Sequence, residues 1–250
     1  MLNIVVPMAG LGKRFTDAGY VLPKPLLPVY GKTMIERVVE NIYPSCIEVQ
    51  VIFLCLKEHI QNYNCDEVLK GVAPGCQVLS VDTLTQGAAC TVLLAEHLID
   101  NKNSLMIVNS DQLIGADIND FISKALTQDM DGYILTMKSN HPKWSYVAVD
   151  AEDSVYMVRE KEVISDEATV GIYYFKSGRD FIFYAKQMIE KGIRINGEFY
   201  VAPVYNEMIL ASKEIGYYNI GDEKNGMFGL GTPEDYEYFL QSNKENFFVQ

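Results

Sequence analysis

Two cations follow a pair of glycines near the start of the chain, in PMAGLGKRF, and a lysine between two prolines comes about ten residues later, in LPKPLLPV. Glycines open the backbone N–H groups to phosphate oxygens, and Lys13 and Arg14 behind Gly10 and Gly12 can neutralise a triphosphate. The pattern is not a dinucleotide fingerprint. The third glycine position of G-x-G-x-x-G holds Phe15, and a dinucleotide pyrophosphate is normally held by a helix dipole without adjacent cations. Nor is it the phosphate loop G-x-x-x-x-G-K-[ST], because Gly12 and Lys13 are followed by Arg14 and position 7 is proline. Lys24, with Pro23 and Pro25 holding the backbone extended, samples few states and suits phosphoryl chemistry. Asp111, in VNSDQL, falls just past a buried apolar run, where a carboxylate can hold Mg²⁺ against phosphate oxygens.

The elements that would position these residues are legible as hydrophobic runs. Segments 3–8, 49–55, 77–81 and 104–110 are nearly continuous apolar stretches, the signature of parallel strands buried on both faces. Helical patterns at 33–43, 57–70 and 88–99 lie between them, predicting an α/β doubly wound, Rossmann-like, mostly parallel sheet. Close-set strands follow at 131–138, 146–150, 155–161 and 169–176, so a mixed or antiparallel section succeeds the parallel one. Helices return near 178–191 and 202–212. Thr232 and Pro233 start a last helix, with Glu234 and Asp235 at its positive end. With no repeat or linker composition, a single domain over 1–250 is expected, divided into halves at 1–115 and 116–250.

Composition narrows the class. The formal net charge is −12, which disfavours nucleic acid and anionic membranes as partners. Within residues 1–37, however, Lys13, Arg14, Lys24, Lys32 and Arg37 outnumber Asp17 and Glu36. A positive patch on an acidic chain suits a small polyanion. Five cysteines without C-x-x-C spacing and three scattered histidines argue against a disulfide framework or a structural zinc site. No membrane span or leader pattern is read, so the cytoplasm is the expected address.

The arrangement P-M-A-G-L-G-K-R-F with P-K-P-L-L-P-V resembles the nucleotidylyltransferases (pyrophosphorylases) that activate sugar phosphates and similar acceptors. The resemblance implies a GT-A-like nucleotidyltransferase fold, with residues 1–115 holding the nucleotide and 116–250 the acceptor. It gives Arg14 and Lys24 catalytic roles and puts Met8, Ala9, Gly10, Gly12, Lys13, Gln86, Gly87 and Ala88 at the nucleotide. Lys13 stands where the family has a small hydroxyl residue. Gln86, in TLTQGAACTV, would face the base, although an amide can donate or accept and so does not identify which base. Asp111 becomes the metal-binding aspartate. Glu160 and Lys161, with Gly171 and Glu198, would bind the acceptor's hydroxyls and phosphate. Where relatives read L-D-x-G-T and supply a second metal ligand, this chain has Gly229 in FGLGT, so either another carboxylate, for example Asp222, completes the Mg²⁺ site or Asp111 and the substrate phosphates hold the metal alone.

The reaction so implied joins a nucleoside triphosphate (cytidine, uridine or thymidine) to a phosphorylated acceptor and releases pyrophosphate, as used in capsule or surface polysaccharide biosynthesis. The acceptor could be a sugar 1-phosphate or a smaller molecule such as choline phosphate or a phosphorylated amino acid derivative. A nucleotide-sugar-dependent glycosyltransferase would want D-x-D where this chain has a single Asp. A non-catalytic nucleotide-sensing subunit is kept open by Gly229. At this length no long C-terminal acyltransferase or β-helix is expected, and regulation would either come from homo-oligomerisation or be absent.

Overall fold

The apolar run at the N-terminus forms β1 (Leu2–Met8), where alternation decides which side of the sheet each residue serves. Ile4, Val6 and Met8 join one buried cluster and Val5 the other, so the strand is covered on both faces. The computed structural model describes residues 1–242. After β1, α1 (Lys13–Asp17) is entered through Gly12 in the left-handed region at φ 60°. A 3-10 turn (Lys24–Leu26) and the small hairpin of β2 (Pro28–Val29) and β3 (Lys32–Thr33) lead to α2 (Met34–Ile42). Next come β4 (Val49–Leu56), α3 (Lys57–Tyr63), α4 (Cys65–Val72) and β5 (Gln77–Val81). The 57–70 pattern is two helices because Asn64 between them adopts φ 50°, a conformation Asn tolerates better than most side chains.

The expected 88–99 helix is likewise split into α5 (Ala88–Leu93) and α6 (Glu96–Ile99). Then follow β6 (Ser104–Val108), β7 (Gln112–Ile114), α7 (Ile118–Thr127), β8 (Gly132–Lys138), β9 (Ser145–Val149), β10 (Val155–Glu160) and β11 (Glu167–Phe175). The described chain closes with α8 (Gly178–Glu190), α9 (Val204–Leu210), β12 (Ile215–Asp222), β13 (Met227–Gly229) and α10 (Pro233–Gln241).

Among the described residues the main sheet has nine strands, ordered β10-β9-β11-β6-β1-β4-β5, with β8 beside β11 and β12 beside β8. β6, β1, β4 and β5 run parallel. β11 then pairs antiparallel with β6 and β8, and β9 with β10, so the expected change from parallel to mixed pairing falls at the β6–β11 seam. None of the described helices is long and apolar enough to cross a membrane.

One aromatic cluster ties the chain's end to its beginning. Phe15 on α1 is 1% exposed and meets Tyr20 and Tyr236 edge-to-face at centroid distances of 5.3 and 5.9 Å. The Tyr236 hydroxyl donates to the Pro28 carbonyl at 2.6 Å, and that of Tyr30 to the Phe239 carbonyl at 2.9 Å. Thus α10 clamps both the glycine loop and the segment carrying Lys24. Phe15→Ala is expected to lower unfolding free energy by about 3–5 kcal/mol, measured as the midpoint shift of a urea transition.

Candidate active site

The glycine loop and the proline-flanked lysine, separate in sequence, meet in space. A Cβ built on Gly12 would lie 3.1 Å from the Lys24 Cβ, so the loop closes directly on the lysine stem. Lys24 opens the 3-10 turn rather than sitting in wholly extended backbone: Pro23 is extended at ψ 141°, and Pro25 falls inside the turn, where its missing N–H is not needed. The Lys24 Nζ donates to Asp111 Oδ2 at 2.7 Å, with the two side chains only 20% and 18% exposed. Asp111 lies between β6 and β7, and its carbonyl accepts from the Leu230 N–H at 2.7 Å. Gly231 permits that approach, since a Cβ there would lie 2.9 Å from Asp111 Oδ2.

Asp111 forms part of the wall of a cleft of about 530 Å³, a size suited to a small-molecule ligand. Of the other residues expected at a site, Arg14, Ala88, Glu160, Lys161 and Gly171 also line it. Met8 and Ala9 are buried at 2% and 7% exposure, while Gly10, Lys13 and Gln86 are exposed, and these residues, Gly12 and Gly87 are not part of the cleft wall. Lys24 reaches the cleft through Asp111. Glu198 is exposed outside the wall, though close enough for its charge to act on Glu160 and Tyr200.

Asp222 corrects an expectation. It sits at the exposed end of β12, opposite Lys138 across the sheet and outside the cleft. The carboxylate that enters the cleft is Asp235, at the start of α10. It accepts from the Thr232 hydroxyl at 3.0 Å and pairs with Lys143 at 3.2 Å. Lys143 also pairs with Glu223 at 2.8 Å and lies 4.7 Å from the centre of the Trp144 ring. Burial depresses the Lys143 pKa, but the Glu223 and Asp235 carboxylates outweigh it and hold the ammonium above its ordinary value. Gly229 backs onto that ring: a Cβ on it would lie 3.2 Å from Trp144 Cη2.

Beside Trp144 in the same lining, Glu160 accepts from the Ser145 hydroxyl. Burial raises the Glu160 pKa, Glu198 adds to the rise, and Ser145 and Lys161 oppose it. Lys161 has φ 58°, unusual for a lysine. Its N–H donates to the Trp144 carbonyl at 3.0 Å, and its Nζ donates to the Tyr200 hydroxyl. Gly171, at φ 76°, lies at the irregularity where β11 leaves β8, and its carbonyl accepts from the Asn109 N–H at 2.9 Å. The amides of Gln112 and Asn109 lie against it, so a Cβ there would fall 1.9 Å from Gln112 Oε1 and 2.4 Å from Asn109 Nδ2.

The sequence model of the nucleotidyl transferase family matches residues 4–199. The chain belongs to that family. It is 24% identical over 247 residues to the D-glycero-alpha-D-manno-heptose 1-phosphate guanylyltransferase of Campylobacter jejuni, covering 97% of this chain and 100% of the relative. To the bifunctional protein GlmU of Methanocaldococcus jannaschii it is 22% identical over 247 residues, covering 97% of this chain and 54% of the relative. The chain thus spans about half the length of that protein. Among solved structures, the nucleoside-diphosphate-sugar pyrophosphorylase of Vibrio cholerae RC9 matches with a TM-score of 0.82 and 27% identity, over 95% of this chain and 99% of the other. The fold expected from the sequence is the one these nucleotidyl transferases share.

Several residues lining this family member's cleft were not singled out by sequence reasoning: Lys143, Trp144, Ser145, Tyr200, Asn109 and Gln112. The one tryptophan of the chain, in HPKWSY, was the available signal, since a lone Trp beside Lys in a loop is a common binding-surface composition. A metal finds one protein carboxylate on Asp111, with Asp235 also in the wall, and among the described residues no group of three candidate ligands. That donor set fits Mg²⁺, which uses one or two carboxylates plus substrate phosphates and keeps several waters. Gly171→Ala is expected to cost about 2–4 kcal/mol, from its positive φ and the overlap with the two amides, read as a lowered urea midpoint.

Proposed function

We propose that this chain transfers a nucleotidyl group from a nucleoside triphosphate to a phosphorylated acceptor, a sugar 1-phosphate, and releases pyrophosphate. The observation that carries the reading is the convergence of Gly12, Lys24 and Asp111 at a cleft whose lining also holds Glu160 and Lys161. Residues 1–115 would hold the nucleotide and 116–250 the acceptor. The relatives named above as acting on a heptose 1-phosphate and as a nucleoside-diphosphate-sugar pyrophosphorylase support a sugar phosphate over choline phosphate or a phosphorylated amino acid derivative.

In this mechanism an oxygen of the acceptor phosphate attacks the α-phosphorus in line. The new P–O bond forms as the bond to the β-phosphate bridging oxygen breaks, and the electron pair leaves with pyrophosphate. The acceptor phosphate is already anionic at neutral pH, so no general base is required. Arg14 and the N–H groups of the glycine loop hold the triphosphate, and Lys24 stabilises charge developing at the α-phosphate. Asp111, with Asp235 across the wall, would hold Mg²⁺, which when bound supplies positive charge to the phosphate oxygens. Lys161 orients the acceptor phosphate, and Glu160 accepts hydrogen bonds from its hydroxyls. Cytoplasmic sugar-nucleotide supply for surface polysaccharide is the setting this reaction would serve.

Lys24→Ala should reduce turnover on the order of 10² to 10³, measured by pyrophosphate release, with circular dichroism verifying the fold. Full activity in a folded variant would overturn the role of Lys24. A second expectation concerns pH. Because burial raises the Glu160 pKa, the folded state holds that proton more tightly than the unfolded chain. Its stabilisation is therefore present at low pH and is lost as pH rises through the folded pKa. Acceptor binding runs the other way: the acceptor KM should rise as pH falls, starting above the ordinary glutamate value of about 4.3. Glu160→Gln should raise KM and flatten this profile.

A further inference from the structure

The acceptors on the turn before α5 are already engaged. The Gln86 carbonyl accepts from the Phe199 N–H at 2.8 Å, and the Gly87 carbonyl from the Thr91 N–H at 3.0 Å. The hydroxyls of Thr85 and Thr91 also donate to Gly87, at 3.0 and 3.2 Å. On the Gln86 side chain, Oε1 accepts from Arg194 Nη2 at 2.5 Å. Arginine can only donate, so the atom it meets is the oxygen and the amide's orientation follows from the contact.

Arg194 is held in turn. Its guanidinium lies 4.2 Å from the centre of the Phe199 ring, and Nη1 donates to the Gly197 carbonyl at 3.3 Å. Phe199 is 1% exposed, and it is docked against Gly87, where a Cβ would come within 2.5 Å of the Phe199 backbone N and O. Only a glycine allows this approach. The group left on Gln86 is Nε2, with its two N–H donors.

This step rests on the nucleotidyl-transfer reading, in which Gln86 faces the base. We infer that Arg194 locks Gln86 as a donor and thereby selects a triphosphate whose base carries an acceptor at the centre of its pairing edge, as cytosine does at N3. Uracil, thymine and guanine carry an N–H donor at that position, which would stand unpaired against the turn. A second lone pair on Oε1 does not rescue them, because it would draw their N–H toward the Arg194 charge. Among the cytidine, uridine and thymidine triphosphates, the geometry selects CTP. Adenine N1 offers the same acceptor on a purine, so ATP is a separate arm of the test.

The experiment measures binding of CTP, UTP, dTTP, GTP and ATP to the full chain by calorimetry, alongside pyrophosphate release with sugar 1-phosphates. CTP is expected to bind about tenfold or more tightly than UTP, the value of one well-placed hydrogen bond against an unpaired donor. Arg194→Ala frees the amide to turn and should bring the CTP to UTP ratio within about threefold, mainly by gain of UTP. Gln86→Glu, which replaces the amide by an acceptor-only group of the same shape, should also lose the preference for CTP. ATP binding that matches or exceeds CTP keeps the acceptor rule and moves the assignment to a purine. A preference for UTP, dTTP or GTP, no preference, or a ratio unchanged in Arg194→Ala overturns the inference. Selective CTP binding with no pyrophosphate release from any pairing supports the inference and overturns the transfer reading instead.

Discussion

The 2.7 Å ion pair between Lys24 and Asp111 is the contact on which the two ends of the cleft depend. It joins a segment that follows β1 to one that follows β6, strands that are parallel neighbours in the sheet. Parallel strands end on the same edge, so their C-terminal loops are brought together by pairing alone. The ion pair then fixes the distance between them. With both side chains mostly buried, each charge depends on the other for the solvation it lost, and deletion of either leaves an uncompensated charge. The glycines at 12 and 231 follow from this demand for close approach, one against the lysine stem and the other against the aspartate oxygen.

The cleft lining sets Arg14, Lys143 and Lys161 among Asp111, Glu160 and Asp235, and the cations in and beside it are held in different ways. Arg14 lines the wall from an exposed position. Lys24 is neutralised by one carboxylate, and Lys143 by two. Lys161 instead rests on the Tyr200 ring and hydroxyl. A lysine supported by an aromatic ring remains available to an anion in a way that a doubly paired one does not.

Much of this was legible in the sequence because it rests on local chemistry. The runs at 3–8, 49–55, 77–81 and 104–110 read as buried strands and are strands. Arg14, Asp111, Glu160, Lys161 and Gly171 were found through short motifs and do share one cleft. The break at Asn64 was less visible, because helix periodicity continues across a residue that merely changes its φ. β12 was not read as a strand, since GYYNIGD is glycine-bearing and polar at its end, and its pairing with β8 is a long-range fact. Asp222 is an example, in the sequence, of a carboxylate that could stand in for the one missing at Gly229. Strand pairing sends it to the sheet's outer end, while Asp235, read only as a favourable helix-start charge, is the one that enters the cleft. Arg194 gave no signal at all, because its meaning comes from meeting Gln86 across 108 positions of sequence.

The substitution at 229 is best understood from Trp144. A Cβ at that position would lie 3.2 Å from the indole, so a side chain there would require the ring to give by a few tenths of an ångström. The indole N–H donates to Glu223 at 3.1 Å, and the same carboxylate receives Lys143, so ring, lysine and glutamate hold one another in place. Burial favours the neutral form of Glu223, yet the hydrogen bonds from Lys143, Trp144 and Ser139 hold its pKa below the ordinary value. The wall that carries an aspartate in the family pattern therefore presents a neutral glycine backed by an aromatic ring, with a lysine beside it. Replacing an anion by a neutral group next to a cation makes this side of the cleft less repulsive to phosphate oxygens, and it leaves Asp111 as the carboxylate nearest the glycine loop. The negative charge that α10 returns through Asp235 arrives already hydrogen-bonded to Thr232 and paired to Lys143. The cleft therefore holds one part of its lining in a closed network, with Arg14 and Lys161 lining it outside that network.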